Sequence, residues 1–411
     1  MDRRGLVSFL PLFAALFIDT FSFGLMYPVI VALFHDPAIV GSYGALRDAY
    51  LSLAFSLFPL GMFFGASVLG DLSDALGRKR TLLICMAGLA FAYALMWLGV
   101  ETLTMDWFLA GRIISGVMAG TGPIAQAAMM DASVQAGKED QRSSDMAAVV
   151  LVNCLALVSG PAIGGVLGHW DFRLPLAFAL GMCVAVYVWI ALGVPAGTGP
   201  TRRVHLSLAR PLEVFVRAVR HPVLRGLALS FLIYQFGLGL YFTYVVVKMQ
   251  VVFQLQTFAL GLFSAVMGAG FVVGTTVGQR VAHDWLKDDA KVTVWALFIC
   301  GTLIALSALP FGGAAAQWVL VFVIGLTDII AFVGGLSLIS AAASKEEQGW
   351  ALGIGASMMA LAFFAAGLMA VLLSLIPVSA LIAAGGAAIL LSILPLQSAW
   401  SVHLAKRRAP A

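Results

Sequence analysis

Apolar runs long enough to cross a bilayer recur along this chain, and no other feature constrains its fold as strongly. In hydrocarbon every backbone N–H and C=O has to be satisfied within its own segment, so a run of roughly 20 apolar residues, enough helix for a core of about 30 Å, reads as a span. Twelve such runs occur, at 6–34, 50–70, 81–100, 106–131, 145–168, 174–194, 224–247, 256–278, 291–310, 315–342, 349–375 and 378–398. Composition agrees: 61% of the 411 residues are hydrophobic and 11% charged, where soluble domains carry roughly 25% charged residues. The expected fold class is an all-α integral membrane protein of twelve transmembrane helices.

The first residues join a basic head, Arg3 and Arg4, to an apolar stretch resembling a signal peptide. That stretch runs on through Asp19 to Phe34 without a convincing cleavage site, so it reads as an uncleaved first span. Cys85, Cys154, Cys183 and Cys300 all fall inside apolar runs with no paired spacing, which suggests neither a disulfide framework nor a metal site. Orientation follows from the loops. Twenty Lys and Arg residues fall on the side holding both termini, while Arg47, Arg173 and Lys248 fall on the other, which predicts cytoplasmic termini.

The longest polar interruption, 195–225, holds Arg202, Arg203, His205, Arg210, Arg217, Arg220 and His221 against the single acid Glu213. It divides the chain six spans from six. The expected organisation is a six-helix bundle over 1–194, a basic cytoplasmic linker over 195–223, a second bundle over 224–400 and a tail over 401–411. PLEVFVRAVRHP within the linker has the pattern of a short amphipathic helix on an anionic membrane face. The halves look like a weak repeat. Gly70 precedes DLSDALGRK as Gly278 precedes a worn QRVAHDWLK; parallel repeats of this kind bind substrate near the midplane. No nucleotide-binding loop is present, and orientation accounts for the net charge of +4 without any nucleic-acid partner.

GDLSDALGRKR (70–80) resembles the loop signature of the major facilitator superfamily. GRIISGVMAGTG (111–122) resembles that family's fourth-helix motif with its intramembrane arginine, and SGPAIGG (159–165) its fifth-helix antiporter motif. RIISGVMAGTGPIAQAAMMD and EEQGWALG are most similar to the drug/proton antiporters of the tetracycline-exporter type. The resemblance implies two parallel six-helix bundles, no enzymatic activity and no cofactor. It also implies alternating access in a multi-pass protein of the bacterial inner membrane, with a small-molecule substrate, protons and the bilayer as partners and the protein a monomer. The expected activity is export of an organic solute or drug in exchange for protons. An endogenous siderophore or metabolite, import of a nutrient by proton symport, and a non-transporting sensor are the alternatives. Ala75 stands where the loop signature usually has arginine.

An ionisable side chain at the centre of a span costs at least about 2.5–3.5 kcal/mol and is a functional candidate by default. Asp19, Arg112 and Asp328 qualify. At about 1.5 Å per residue, Asp19 lies roughly 20 Å up span one and Arg112 roughly 9 Å down span four. These depths are similar in a core of about 30 Å, so the two are expected to meet, Asp19 as proton carrier and Arg112 as its tuner. A static buried pair is the competing reading. Asp328 is a candidate for substrate contact, for a second proton site, or for a neutral structural acid. Gln126, Asn153, Tyr234 and Gln235 are candidate substrate-binding residues, with interhelical hydrogen bonding as the competitor.

Glycines four apart present one helix face for close packing. Gly160, Gly164 and Gly168, with Pro161 and Gly165 beside them, mark span five; Gly270, Gly274 and Gly278 mark span eight; Gly61 and Gly65 mark span two, Gly349 and Gly353 span eleven. The resemblance implies that five meets eight and two meets eleven, each ladder finding a partner ladder. It also implies a cytoplasmic gate: Gly70 and Gly77 permit the reversal between spans two and three, Asp74 sits against the start of span eleven near Gly349, and Arg78 pairs with Asp131. The chain carries no metal-ligand pattern.

Overall fold

The computed structural model describes residues 3–135, 142–194, 210–221, 224–310, 312–343 and 348–408. Among them the chain is helical, with no strand. The helices are α1 (Arg3–Leu33), α2 (Pro37–Tyr43), α3 (Arg47–Leu76), α4 (Arg78–Glu101), α5 (Met105–Met118), α6 (Thr121–Gln135), α7 (Arg142–Trp170) and α8 (Arg173–Gly193), then α9 (Arg210–Arg220), α10 (Leu224–Val251), α11 (Thr257–Val273), α12 (Gln279–Leu286), α13 (Asp289–Ala308), α14 (Gly313–Ala342), α15 (Gln348–Leu368) and α16 (Val378–Arg408). A π-helical turn, Gly274–Gly278, joins α11 to α12.

Among the described residues eleven helices are long and apolar enough to cross a membrane, α11 through α12 counting as one. The fourth expected span is not one helix; it is divided into α5 and α6. Ala119, at φ −77 and ψ 64, has the geometry of an inverse γ-turn, closed by Gly120 N–H donating to the Met118 carbonyl at 2.9 Å. Pro123 then occupies the first turn of α6, where a missing N–H costs nothing.

Two compact units emerge. The first comprises Met1–Tyr50, Leu57–Leu208 and Gln256–Ala265; the second Leu51–Ser56, Ala209–Leu255 and Val266–Ala411. In the first, α1 packs on α7, α6 and α8, and α4 packs on α5 and α8. In the second, α10 packs on α16, α15 and α14, and α13 on α14 and α16. Of the linker, α9 is helical as the sequence suggests, with Leu212 and Val216 exposed beside exposed Arg217 and Arg220; residues 195–209 lie outside the described residues.

Span five meets span eight at Gly165 with Gly261 and Gly168 with Thr257, and span two meets span eleven at Ser56 with Gly367, but most ladder glycines lie against other helices. Gly160 and Gly164 press on α1, where a Cβ on Gly160 would stand 2.7 Å from the Phe21 carbonyl oxygen, and Gly24 receives the Pro161 ring. Gly61 and Gly65 press on Val117 of α5, while Gly270 and Gly274 press on Leu326 of α14. Gly165, outside the ladder, is the residue that meets Gly261, and a Cβ on Gly353 would meet nothing within 4 Å. Spacing of small residues identifies a face; it does not identify which helix occupies that face.

The reversal after α3 is also tighter than expected. Gly70 lies inside α3 with open space around its Cβ position, so Gly77 alone makes the turn, at φ 88 and ψ 153. That region is essentially restricted to glycine. Arg78 Nη1 donates to Asp74 Oδ1 at 2.9 Å and to Ser73 Oγ at 2.8 Å, tying the first turn of α4 to the last of α3. The Asp131 side chain, its expected partner, lies outside the described residues. Lys79 Nζ donates to the carbonyls of Ala191 at 2.8 Å and Val194 at 2.5 Å, a cation on the C-terminal carbonyls of α8.

Candidate functional site

The break in the fourth span creates a helix N-terminus inside the first unit, and an α1 carboxylate caps it. Asp19 Oδ2 accepts from the Gly122 amide at 2.9 Å. Unsatisfied amides and the positive end of the helix dipole both favour an anion there. Gly122 is small for a reason: a Cβ at that position would stand 2.9 Å from the same carboxylate oxygen. One residue along α1, Thr20 Oγ1 donates to Asn153 Oδ1 of α7 at 2.7 Å. Asp19 is thus held between α6 and an α1–α7 hydrogen bond.

Arg112 does not pair with Asp19. Its guanidinium is 2% exposed, lies over the Phe58 ring at 4.9 Å, and is faced by Tyr27 of α1 and Tyr93 of α4. The depth estimate failed because Asp19 stands level with Gly122, ten residues beyond Arg112, or about 15 Å further along the span. At that distance and an effective dielectric of 20 the attraction is about 1 kcal/mol, less than the roughly 1.5–3 kcal/mol of a hydrogen bond to a charged group. The amide dominates the carboxylate's surroundings, and Arg112 forms a separate cation–aromatic centre.

The second unit buries its own acid. Asp328 on α14 is 3% exposed, and Tyr234 of α10 donates to its Oδ1 at 2.5 Å and reaches its backbone carbonyl at 3.1 Å. Tyr234 stacks edge-on with Phe231, which packs in turn on Phe332. Tyr234 and Asp328, proposed separately from sequence, are therefore one site. Gln235, the next residue on α10, points elsewhere: it is 1% exposed with neither amide atom hydrogen-bonded, and the Tyr241 hydroxyl is likewise without a partner. Buried polar atoms in that state are uncommon, and the side-chain oxygens of Ser22, Gln250 and Gln317 share it. Gln126 is half-buried on α6, one turn beyond Gly122.

One buried cation escaped the sequence reading. Lys248, counted among the outer loop residues, is buried at the end of α10, where its Nζ donates to the Ser307 carbonyl and, at 3.3 Å, to that of Leu309. These are last-turn carbonyls of α13, so the charge complements a helix C-terminus. Its position at the end of an apolar run was visible; the carbonyls awaiting it were not.

A family model described as Major Facilitator Superfamily matches residues 10–367. The chain is 30% identical over 224 residues to the class C tetracycline resistance protein of Escherichia coli, covering 53% of this chain and 52% of that protein. It is 31% identical over 179 residues to the class D tetracycline resistance protein of Salmonella ordonez, covering 42% and 41%. The chain thus spans about half the length of the curated relatives it matches. Among solved structures, the crystal structure of the human organic anion transporter MFSD10 (TETRAN) superposes with a TM-score of 0.66 at 21% identity, over 97% of this chain and all of that one, a likeness of fold.

Proposed function

This chain belongs to the Major Facilitator Superfamily, and from that premise we propose that it exports an organic solute or drug in exchange for protons by alternating access, with Asp19 as the proton carrier. The observation that carries this reading is the half-buried Asp19 carboxylate on the Gly122 amide at the N-terminus of a broken span. The ionised carboxylate favours the helix terminus and the terminus favours the ionised carboxylate. Protonation removes that mutual stabilisation and weakens the contact of α1 with α6. A proton bound at Asp19 then shifts an equilibrium between two arrangements of the unit.

The names of the tetracycline resistance relatives support a drug-like substrate. Gln235 and Tyr241, buried in the second unit with unsatisfied polar atoms, are the groups we assign to substrate. A second reading has one observation in its favour: Arg112, a fixed cation among Phe58, Tyr27 and Tyr93, suits an anionic or zwitterionic solute. We place the protein in the bacterial inner membrane as a monomer with both termini cytoplasmic, its bundles at 1–194 and 224–400 joined by the basic linker. The GDLSDALGRKR reversal, with Asp74, Arg78 and Asp131, is then its cytoplasmic gate. The test is transport by purified protein in liposomes carrying an imposed pH gradient, assayed with tetracycline, a lipophilic cationic dye and an organic anion. Movement of one of these against the proton flow is expected; a solute moving with the protons overturns the antiport direction.

A further inference from the structure

The second unit holds a small cavity lined by Ser230, Phe231 and Tyr234 of α10, Thr293 of α13, and Ala331 and Gly335 of α14. It has room for about one water molecule, too little for a drug-sized solute. Three of the lining residues carry hydroxyl groups, and these share a property. Ser230 Oγ donates to the Ser392 carbonyl at 2.7 Å, Thr293 Oγ1 to the Asp289 carbonyl at 2.7 Å, and Tyr234 Oη to Asp328 at 2.5 Å. Each O–H is committed, so what each residue still offers is acceptor lone pairs. An occupant rich in donors, water carrying an extra proton, satisfies such a lining best.

Among the described residues no cation pairs with Asp328: Arg225 lies nine residues, about 14 Å, along α10 from Tyr234, and Lys291 nine residues along α13 from Cys300. On the elements packed against α14, the groups that face it are the phenol of Tyr234 on α10 and the thiol of Cys300 on α13, with Tyr241 of α10 beyond that thiol. Residues 257–279, 348–368 and 378–401 contain no ionisable side chain. Lys248 is committed to the Ser307 and Leu309 carbonyls, fourteen residues or about 21 Å along α10 from Tyr234. A carboxylate buried among aromatic rings, with a phenol for a partner and no fixed cation, is neutralised most readily by a proton.

We propose that Asp328 is a second protonation site, separate from Asp19, loaded through the single-water cavity with Tyr234 as the relay. A proton arriving on the cavity water passes to Tyr234 Oη as the phenol's own proton moves to Asp328 Oδ1. Neutral water, an intact phenol and a neutral carboxylic acid remain. The inference rests on the reading of the chain as a proton-coupled transporter, but the site itself is testable without a transported substrate.

The experiment is infrared difference spectroscopy of the full-length protein in lipid nanodiscs, titrated in pH, for the wild type, Asp328→Asn, Tyr234→Phe and Asp19→Asn. Beyond the bands of the other carboxyls, which neither Asp→Asn variant alters, two protonated-carboxyl bands that titrate are expected. Asp328→Asn removes one of them, Asp19→Asn removes the other, and Tyr234→Phe shifts the Asp328 band to higher frequency by deleting its hydrogen bond. A spectrum of Asp328→Asn that superimposes on the wild type at every pH overturns the proposal. So does an unshifted band in Tyr234→Phe, the variant that keeps the ring and serves if Asp328→Asn does not fold. Loss of the Asp19 band alone from the wild-type spectrum contradicts the proposed proton carrier and leaves the Asp328 assignment standing.

Discussion

The two compact units each hold an aspartate inside a span, Asp19 half-buried and Asp328 buried, and they hold it by different means. Asp19 accepts from a backbone amide at the start of α6, whereas Asp328 accepts from the side-chain hydroxyl of Tyr234. A change of charge at Asp19 therefore acts on a helix terminus, and so on the path of the main chain. A change at Asp328 acts on one phenol packed between Phe231 and α14, which can lose its hydrogen bond while the helices stay in place. On the function proposed above, that difference would put conformational coupling in the first unit and proton storage in the second.

Gly122→Ala should break that comparison most severely. Its Cβ would stand 2.9 Å from Asp19 Oδ2, so the carboxylate has to shift and its hydrogen bond to the amide is stretched although both groups remain. We expect loss of proton-driven flux with solute binding retained, read as transport in proteoliposomes beside equilibrium binding. Unchanged flux would show that the amide contact carries no coupling.

The reversals within the two units give the next largest contrast. The first turns on Gly77 in a region closed to other residues; the second turns on Lys287 at φ 51, followed by Asp288, whose side chain caps the amides of Ala290 and Lys291. Gly77→Ala should cost about 1–3 kcal/mol in stability. Lys287→Gly should change it by less than about 1 kcal/mol, because relief of the left-handed backbone offsets the added freedom of the unfolded chain. Thermal unfolding in detergent measures both, and equal shifts would show that the two reversals are equivalent.

The smallest effect belongs to the loop between α7 and α8, where Arg173 donates to Asp171 and to Glu101. The Arg173 side chain and amide hold the Asp171 carboxyl below its usual range. Its contribution is therefore present above the ordinary carboxylate pKa and is lost as pH falls through the lowered value. Asp171→Asn should reduce the unfolding midpoint slightly at neutral pH, with the difference from wild type closing in strong acid. A difference that widens on acidification would contradict that sign.

Much of the fold could be read in advance because hydrocarbon leaves a chain few options. Length, hydropathy and the GDLSDALGRKR signature sufficed for the all-α class and the family. The break at Ala119 left only a faint trace, the Thr-Gly-Pro at 121–123, inside a run otherwise apolar enough to be one helix. Asp19, Tyr234 and Asp328 stood out as polar groups where polarity is costly, but their partners did not. A depth estimate places residues along one axis, whereas contact depends on helix rotation and on interruptions that depth ignores. The Asp19–Arg112 pairing failed for that reason, and so did the glycine-to-glycine match of the ladders, although span five still meets span eight at Gly165 and Gly261. Tyr234 and Asp328, 94 positions apart, are joined only by packing.

The account depends most on Asp19, and one comparison tests it directly: Asp19→Asn and wild-type protein in liposomes, each assayed for solute flux driven by a pH gradient and for gradient-free exchange of the same solute. The prediction is that the variant loses the driven flux and keeps the exchange, because solute binding and alternation survive while the proton carrier is gone. Driven flux equal to the wild type would contradict it.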